Sequence, residues 1–322
     1  MNKKICAAVA AALCIAAFLY HGKKNDLPVI AIANYGPHST LEASLNGLKK
    51  ELADCGFIEN KTIRYEIADV GFDPALIPQM ITNLVGYKPK VMVTKSTPVS
   101  QFAKGKVHDI PLVYCDITDP MEVGLIKTKG QSHENVTGSS DQNDLEQFLN
   151  FAKELLPNAK TVGLLYSTSE SNDAALVHLM EEATSSVGLS VLAIPVDQAR
   201  DIPVRMQEFR NKADFIYVGM SGPIQPALPT IASEAQKMGI PVFNSGDQAV
   251  RDGLVLASFG ANYESVGRNA GKLVVKLLKG ADIKTLAPIY PGSCDHQCFI
   301  NKKLADRFQI KIPKGSAIII GE

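Results

Sequence analysis

Apolar and polar positions alternate along this chain in a repeating cadence. "LPVIAIA" (27–33) is a short run rich in β-branched residues, which predicts a buried strand. Leu41, Leu45, Leu48 and Leu52 then recur at helical spacing until Gly56. "KTIRYEIA" (61–68) alternates as a strand does, and 74–87 reads as a helix with Ile77, Ile81, Leu84 and Val85 on one face. "PKVMVT" (89–94) and "IPLVYC" (110–115) complete a β-α-β-α-β run. The cadence restarts near residue 143. A helix stopped by Pro157 comes first, followed by strands at 161–166, 190–196, 213–219, 240–244 and 253–260 and helices at 173–187 and 226–238. A further helix covers 263–279 and a closing one lies near 301–309.

Strands alternating with helices predict parallel sheets covered on both faces. Two such series predict an α/β chain of two Rossmann-like lobes. No Pro/Gly/Ser-rich linker separates them, so short crossings are expected to act as a hinge. The predicted division is 27–141 plus 261–286 for the first lobe and 142–260 plus 287–322 for the second.

The first 26 residues stand apart. Asn2-Lys3-Lys4 precedes an apolar run from Ile5 to Tyr20, and a polar stretch follows. This is the layout of an export signal. Cleavage after Ala17, retention of residues 5–20 as a membrane tether, or lipid attachment at Cys14 each leave the remainder outside the cytoplasm.

The chain has 322 residues, 46% of them hydrophobic, with 33 basic and 33 acidic side chains. Zero net charge argues against a nucleic-acid partner. Six cysteines are too few for a disulfide scaffold at this length. Cys55 and Cys115 border apolar runs and read as buried thiols. Cys294 and Cys298 can pair, bind metal weakly with His296, or stay free.

Polar residues gather where strands end. The exits read "NYGPHST" (34–40), "TKSTPVSQ" (94–101), "CDITDPMEVG" (115–124), "TGSSDQND" (137–144), "YSTSESND" (166–173), "VGMSGP" (218–223) and "NSGDQAV" (244–250). Such residues cap helices and make turns. Open α/β sheets also bind ligands beyond the carboxyl ends of their strands. A helix starting near Asn172 is expected to offer its amides and dipole to a ligand carboxylate, with Ser169 and Ser171 beside it. Ser96 and Thr97 offer a similar place in the other lobe. Asp247, ahead of Asp119 and Glu170, is the expected partner of a ligand ammonium. His38 reads as a wall residue. The sequence carries no Walker loop, HExxH, GxGxxG or GxSxG motif, so no catalytic residue, cofactor or metal is assigned.

The segments "ITDPMEVGLI" (117–126), "NVTGSSD" (135–141), "LLPNAKTVGLLY" (155–166), "SESNDAALV" (169–177), 240–273 and "INKKLADRFQIKIP" (300–313) carry a family likeness. In their order and spacing the chain resembles the substrate-binding proteins of tryptophan/tyrosine-type ABC transporters, within the type I periplasmic-binding-protein-like superfamily. The resemblance implies a monomeric venus-flytrap protein. It would bind a small solute, often an aromatic amino acid, and deliver it to a membrane permease. It also implies binding positions at Ser96, Thr97, Thr118, Asp119, Ser139, Asp141, Ser169 to Asn172, and Asp247, to which Tyr35, His38 and Ser221 are added from the strand exits. Tyr35, Phe259 and Tyr263 can stack on a ring or pack the lobes. Where relatives commonly show a Thr-Asp-Asn-like set, this chain has Met220-Ser221-Gly222-Pro223. That departure implies a different or less cationic ligand.

Overall fold

The computed structural model describes residues 27–292, 295–313, 315 and 317–321. The predicted export segment and Cys294 lie outside them.

The first sheet has five strands in the order β2-β1-β3-β4-β5, all parallel. They are β1 (Val29–Asn34), β2 (Arg64–Asp69), β3 (Val91–Lys95), β4 (Leu112–Ile117) and β5 (Val136–Ser140). The connecting helices are α1 (Ser39–Asp54), α2 (Ile77–Gly86) and α3 (Thr97–Lys106). β1, β3, β4 and β5 are buried along almost their whole length, which is why β1, β3 and β4 read as apolar runs. β5 was read as a polar strand exit. Thr137, Ser139 and Ser140 are instead buried in the strand, where Thr137 Oγ1 donates to Leu286 O and Ser140 Oγ to Ile117 O. Thr137 and Ser140 thus satisfy their hydroxyls on the backbone, and the run of small hydroxyl residues imitates a loop in sequence.

The second sheet has seven strands in the order β12-β11-β10-β9-β8-β6-β7. They are β6 (Thr161–Ser167), β7 (Ser190–Val196), β8 (Phe215–Val218), β9 (Val242–Asn244), β10 (Ala257–Ala261), β11 (His296–Asn301) and β12 (Ala317–Ile320). Packed with it are α4 (Leu145–Leu155), α5 (Ser171–Val187), α6 (Ile202–Met206), α7 (Leu228–Met238), α8 (Gln248–Arg251) and α10 (Lys302–Arg307). The sheet is not wholly parallel, because β11 pairs antiparallel with β10, His296 opposite Ala261. β10 ends where the chain leaves the lobe and β11 begins where it returns, so the two must run in opposite senses.

Between those points lies α9 (Tyr263–Leu278), which packs on α1 and against β4 and β5. The α1–α9 crossing is close because glycines meet backbone there. A Cβ on Gly47 would sit 2.1 Å from Glu264 O, and one on Gly267 would sit 1.8 Å from Ser44 O. Ile289 still bridges to Ser139 before the chain crosses back. The three crossings are tied together. Ala261 N donates to Asn143 Oδ1 at 2.9 Å, and Asp144 N donates to His296 Nε2 at 3.2 Å.

Among the described residues no helix is long and apolar enough to cross a membrane, and no group of His, Cys, Asp and Glu can hold a metal ion. Cys115 is buried, but Cys55 is exposed because it follows the last turn of α1 and caps it through its backbone.

Candidate functional site

The carboxyl ends of both sheets face a cleft whose empty space, counted together with the open solvent at its mouth, is about 510 Å³. The first lobe contributes Tyr35, His38, Thr40, Leu41, Phe72, Ser96, Thr97, Pro98, Asp116, Thr118 and Asp141. The second contributes Glu170, Asn172, Met220, Ser221, Gly222 and Gln225, and Tyr263 enters from the start of α9.

Two adjacent strand ends shape the first lobe's wall. Ser96 and Asp116 both carry positive φ, 71° and 61°, although neither is glycine. Strained backbone of this kind gathers at functional sites. The register between β4 and β5 shifts at Cys115/Ile117, which turns the Asp116 side chain out of the strand's alternation. Behind it lies Lys95, almost wholly buried. Lys95 Nζ stands 3.0 Å from Asp116 Oδ2 and donates to Ser44 Oγ and Leu41 O, so its donors are spent inside the lobe.

Asp116 Oδ1 has no protein donor, nor has Asp141 Oδ1, and these residues are only 7% and 6% exposed. Asp141 Oδ2 accepts from Tyr263 Oη at 3.1 Å. Burial, reinforced by the nearby Asp116 charge, pushes the Asp141 carboxyl up to about 7. Asn172 Oδ1 is likewise buried without a donor. Buried acceptors left open in this way are places for donors from a ligand or from ordered water.

Across the cavity, Glu170 is satisfied by the protein. Its Oε1 accepts from Tyr35 Oη at 3.0 Å, and its Oε2 accepts from Gly222 N at 3.1 Å and Asn172 Nδ2 at 3.4 Å. Burial raises its carboxyl above the usual range, and these donors oppose the rise. Gly222 is what makes room. A Cβ there would lie 2.6 Å from Glu170 Oε1 and 2.7 Å from Tyr35 Cε1. A carboxylate absent from 220–223 is therefore supplied over the same loop by Glu170.

Tyr35 and Phe72 meet edge to face at 5.5 Å and form an apolar wall with Leu41, Pro98 and Met220. His38 caps α1 through Nδ1, which accepts from Thr40 N, and burial lowers its pKa. The lobes also touch at the rim, where Ser171 Oγ donates to Gln101 Oε1 at 3.1 Å and His178 Nδ1 stands 3.4 Å from Glu122 Oε1.

Of the residues singled out from sequence, the cavity gathers Tyr35, His38, Ser96, Thr97, Thr118, Asp141, Glu170, Asn172 and Ser221. It does not gather five others. Asp119 makes a turn, its Oδ1 accepting from Met121 N and Glu122 N. Ser139 lies within β5. Ser169 is exposed and paired with Ser167, and Ser171 is the rim contact just described. Asp247 is bound by Arg251 at 2.8 Å and faces a separate polar cleft beside Ser258 and Gln297.

The anion site expected at the start of α5 is also not what the geometry offers. Glu170 stands at its cap and Asp173 in its first turn, so the helix dipole already faces carboxylates. Asp173 Oδ2 accepts from Ser167 N at 2.5 Å, and burial pushes its carboxyl up to about 7. Phe259 packs in the second lobe's core, stacked on His296 at 5.2 Å, away from the cavity.

Asp116, Thr40, Leu41, Phe72, Pro98 and Gln225 escaped the sequence reading. For Asp116 a signal existed. Lys95 and Asp116 are opposite charges one residue past two apolar runs that become neighbouring strands.

Comparison with known proteins places this geometry. Over 254 residues the chain is 28% identical to a protein named tyrosine-binding protein from Clostridioides difficile, covering 79% of this chain and 73% of that one. The crystal structure of an ABC domain in complex with L-Trp from Streptococcus pneumonia matches with a TM-score of 0.85 and 28% identity, covering 92% of this chain and 100% of that one. A conserved domain protein from Vibrio cholerae matches with a TM-score of 0.85 and 27% identity over the same shares. The two-lobed architecture is that of type I periplasmic binding proteins. The family model described as "ABC transporter substrate binding protein" matches residues 29–317, and the chain belongs to that family.

Proposed function

We infer that this chain is the exported substrate-binding component of an ABC importer. It takes an amino acid, foremost an aromatic one, between its lobes, closes over it, and presents it as a monomer to a membrane permease. It performs no chemistry on the solute.

The observation that carries this reading is the cavity walled by both lobes and lined by buried acceptors without protein donors, Asp116 Oδ1 and Asp141 Oδ1. An ammonium placed there supplies what those oxygens lack. The wall of Tyr35, Phe72, Leu41, Pro98 and Met220 suits a ring. Relatives that carry the name tyrosine-binding protein or hold L-Trp support the aromatic choice. Micromolar binding needs about −8 kcal/mol. Two charge-assisted hydrogen bonds give roughly 3–6 kcal/mol, and burial of a ring adds about 2 kcal/mol.

The test is extraction of the small molecule that co-purifies with the full chain, its identification by mass spectrometry, and calorimetric titration with amino acids. Micromolar or tighter binding of an unaltered amino acid is expected. Failure of every amino acid to bind, or chemical conversion of the bound one, rejects the reading.

A further inference from the structure

The charges around the cavity do not balance. Its lining contains no arginine and no lysine. Lys95 balances one carboxylate, Asp116, with its donors spent on Asp116, Ser44 and Leu41, and its field reaches Asp141 only as a weak opposing effect. His38 is held neutral by burial while its Nδ1 accepts from Thr40 N. That leaves Asp141 and Glu170 in the wall, with Asp173 behind Glu170 and hydrogen-bonded to Ser167 N. The neutral donors that hold Glu170 orient its charge without cancelling it.

Among the described residues, the further positive potential at the lining comes from helix ends. α1, α3 and α5 begin at the cavity, where His38 and Thr40, Ser96 and Thr97, and Glu170 and Asn172 line it. Each start is equivalent to about half a positive charge. Pro98 has no N–H, which weakens the second of them. At pH 8, above the values of about 7 for Asp141 and Asp173, three half-charges offset about half of three carboxylates. A zwitterion brings no net charge and leaves the deficit standing. A ligand with net charge +1 removes most of it.

We propose that the solute enters this cavity with a net positive charge. It would be an amine whose carboxyl is absent or neutralised, or an amino acid with a second cationic group, its ammonium set between Asp116 Oδ1 and Asp141 Oδ1. This rests on the solute-binding reading and narrows it, because relatives' names point to zwitterions. It also reverses the expectation drawn from the 220–223 loop, since Glu170 fills the place above Gly222 with a carboxylate of its own.

The experiment is calorimetry on the full chain at pH 8 with three skeletons, those of tyrosine, tryptophan and leucine. Each is offered as the amino acid, its carboxamide, its decarboxylated amine and its deaminated acid; arginine and lysine complete the set. The expected order within a skeleton is carboxamide and amine above amino acid by about tenfold or more, with the deaminated acid silent. In Asp141→Asn and Glu170→Gln the preference for the cationic forms should shrink by about as much. If the amino acids bind as tightly as their carboxamides and amines, or more tightly, the charge inference is overturned and the binding reading stands. If no member of any set binds, both fall.

Discussion

The Tyr35 hydroxyl donates to the Glu170 carboxylate at 3.0 Å, and this bond joins one lobe to the other across the cleft. Both side chains are buried, and Gly222 lies close beneath them. Because the bond spans the cleft, separating the lobes would break it, so it is expected to report closure and to help hold it. Tyr35→Phe removes the hydroxyl and leaves Glu170 one donor short. Affinity should fall about tenfold, the worth of one hydrogen bond to a charged group, while the far-ultraviolet circular dichroism stays unchanged. Equal affinity in calorimetry would show that the bond contributes nothing to the closed state.

Gly222→Ala is a sharper probe of the same place. Its methyl would meet the Glu170 and Tyr35 side chains inside van der Waals contact, so one or both must shift and the bond between them is disturbed. The lobes' cores are untouched. Ligand affinity should drop by about tenfold to a hundredfold, with a change in melting temperature of no more than about 3 °C. Small-angle scattering should show that saturating ligand compacts the parent and fails to compact this variant.

Asp141 and Asp173 make stability depend on pH. Each is raised from an ordinary aspartate value to about 7 in the folded chain. Between about pH 4 and pH 7 the folded form therefore binds protons that the unfolded form has lost, so stability falls as pH rises through that window. The ligand-free protein should melt several degrees higher at pH 5 than at pH 8. Asp141→Asn, which keeps the shape and drops the charge, should flatten the slope and stabilise the protein at pH 8 by about 1–2 kcal/mol. A cationic ligand requires ionised Asp141, which faces Asp116, Lys95 and Tyr263, so affinity should weaken from pH 8 to pH 6.

The Lys95–Asp116 pair predicts a structural cost. Asp116→Asn strands a buried ammonium whose remaining partners are Ser44 and the Leu41 carbonyl. Urea unfolding should lose about 3 kcal/mol. The double change Lys95→Met with Asp116→Asn should recover most of that, because no buried charge is then left alone.

The order of strands and helices was legible because each buried parallel strand is a short apolar run and each helix carries one apolar stripe. β5 was not, since its small hydroxyl residues look like a loop, although Thr137 and Ser140 satisfy their hydroxyls on backbone inside the sheet. The antiparallel β11 was hidden for another reason. Strand direction depends on where the chain re-enters a lobe, and periodicity does not record that. Within the site, residues at strand ends were visible as polar clusters, but direction was not. Asp119 and Asp247 lie at such ends and turn to local partners, Met121 N and Arg251. Asp116 was hidden inside a strand, where a register shift and a positive φ aim it at the cavity.

The most direct test is a crystal structure of the chain with its co-purified small molecule. Density for a solute between the lobes is expected, with a donor within hydrogen-bonding distance of Asp116 Oδ1 or Asp141 Oδ1 and the Tyr35–Glu170 bond intact. A solute bound elsewhere, with those two oxygens satisfied by the protein's own side chains, would contradict it.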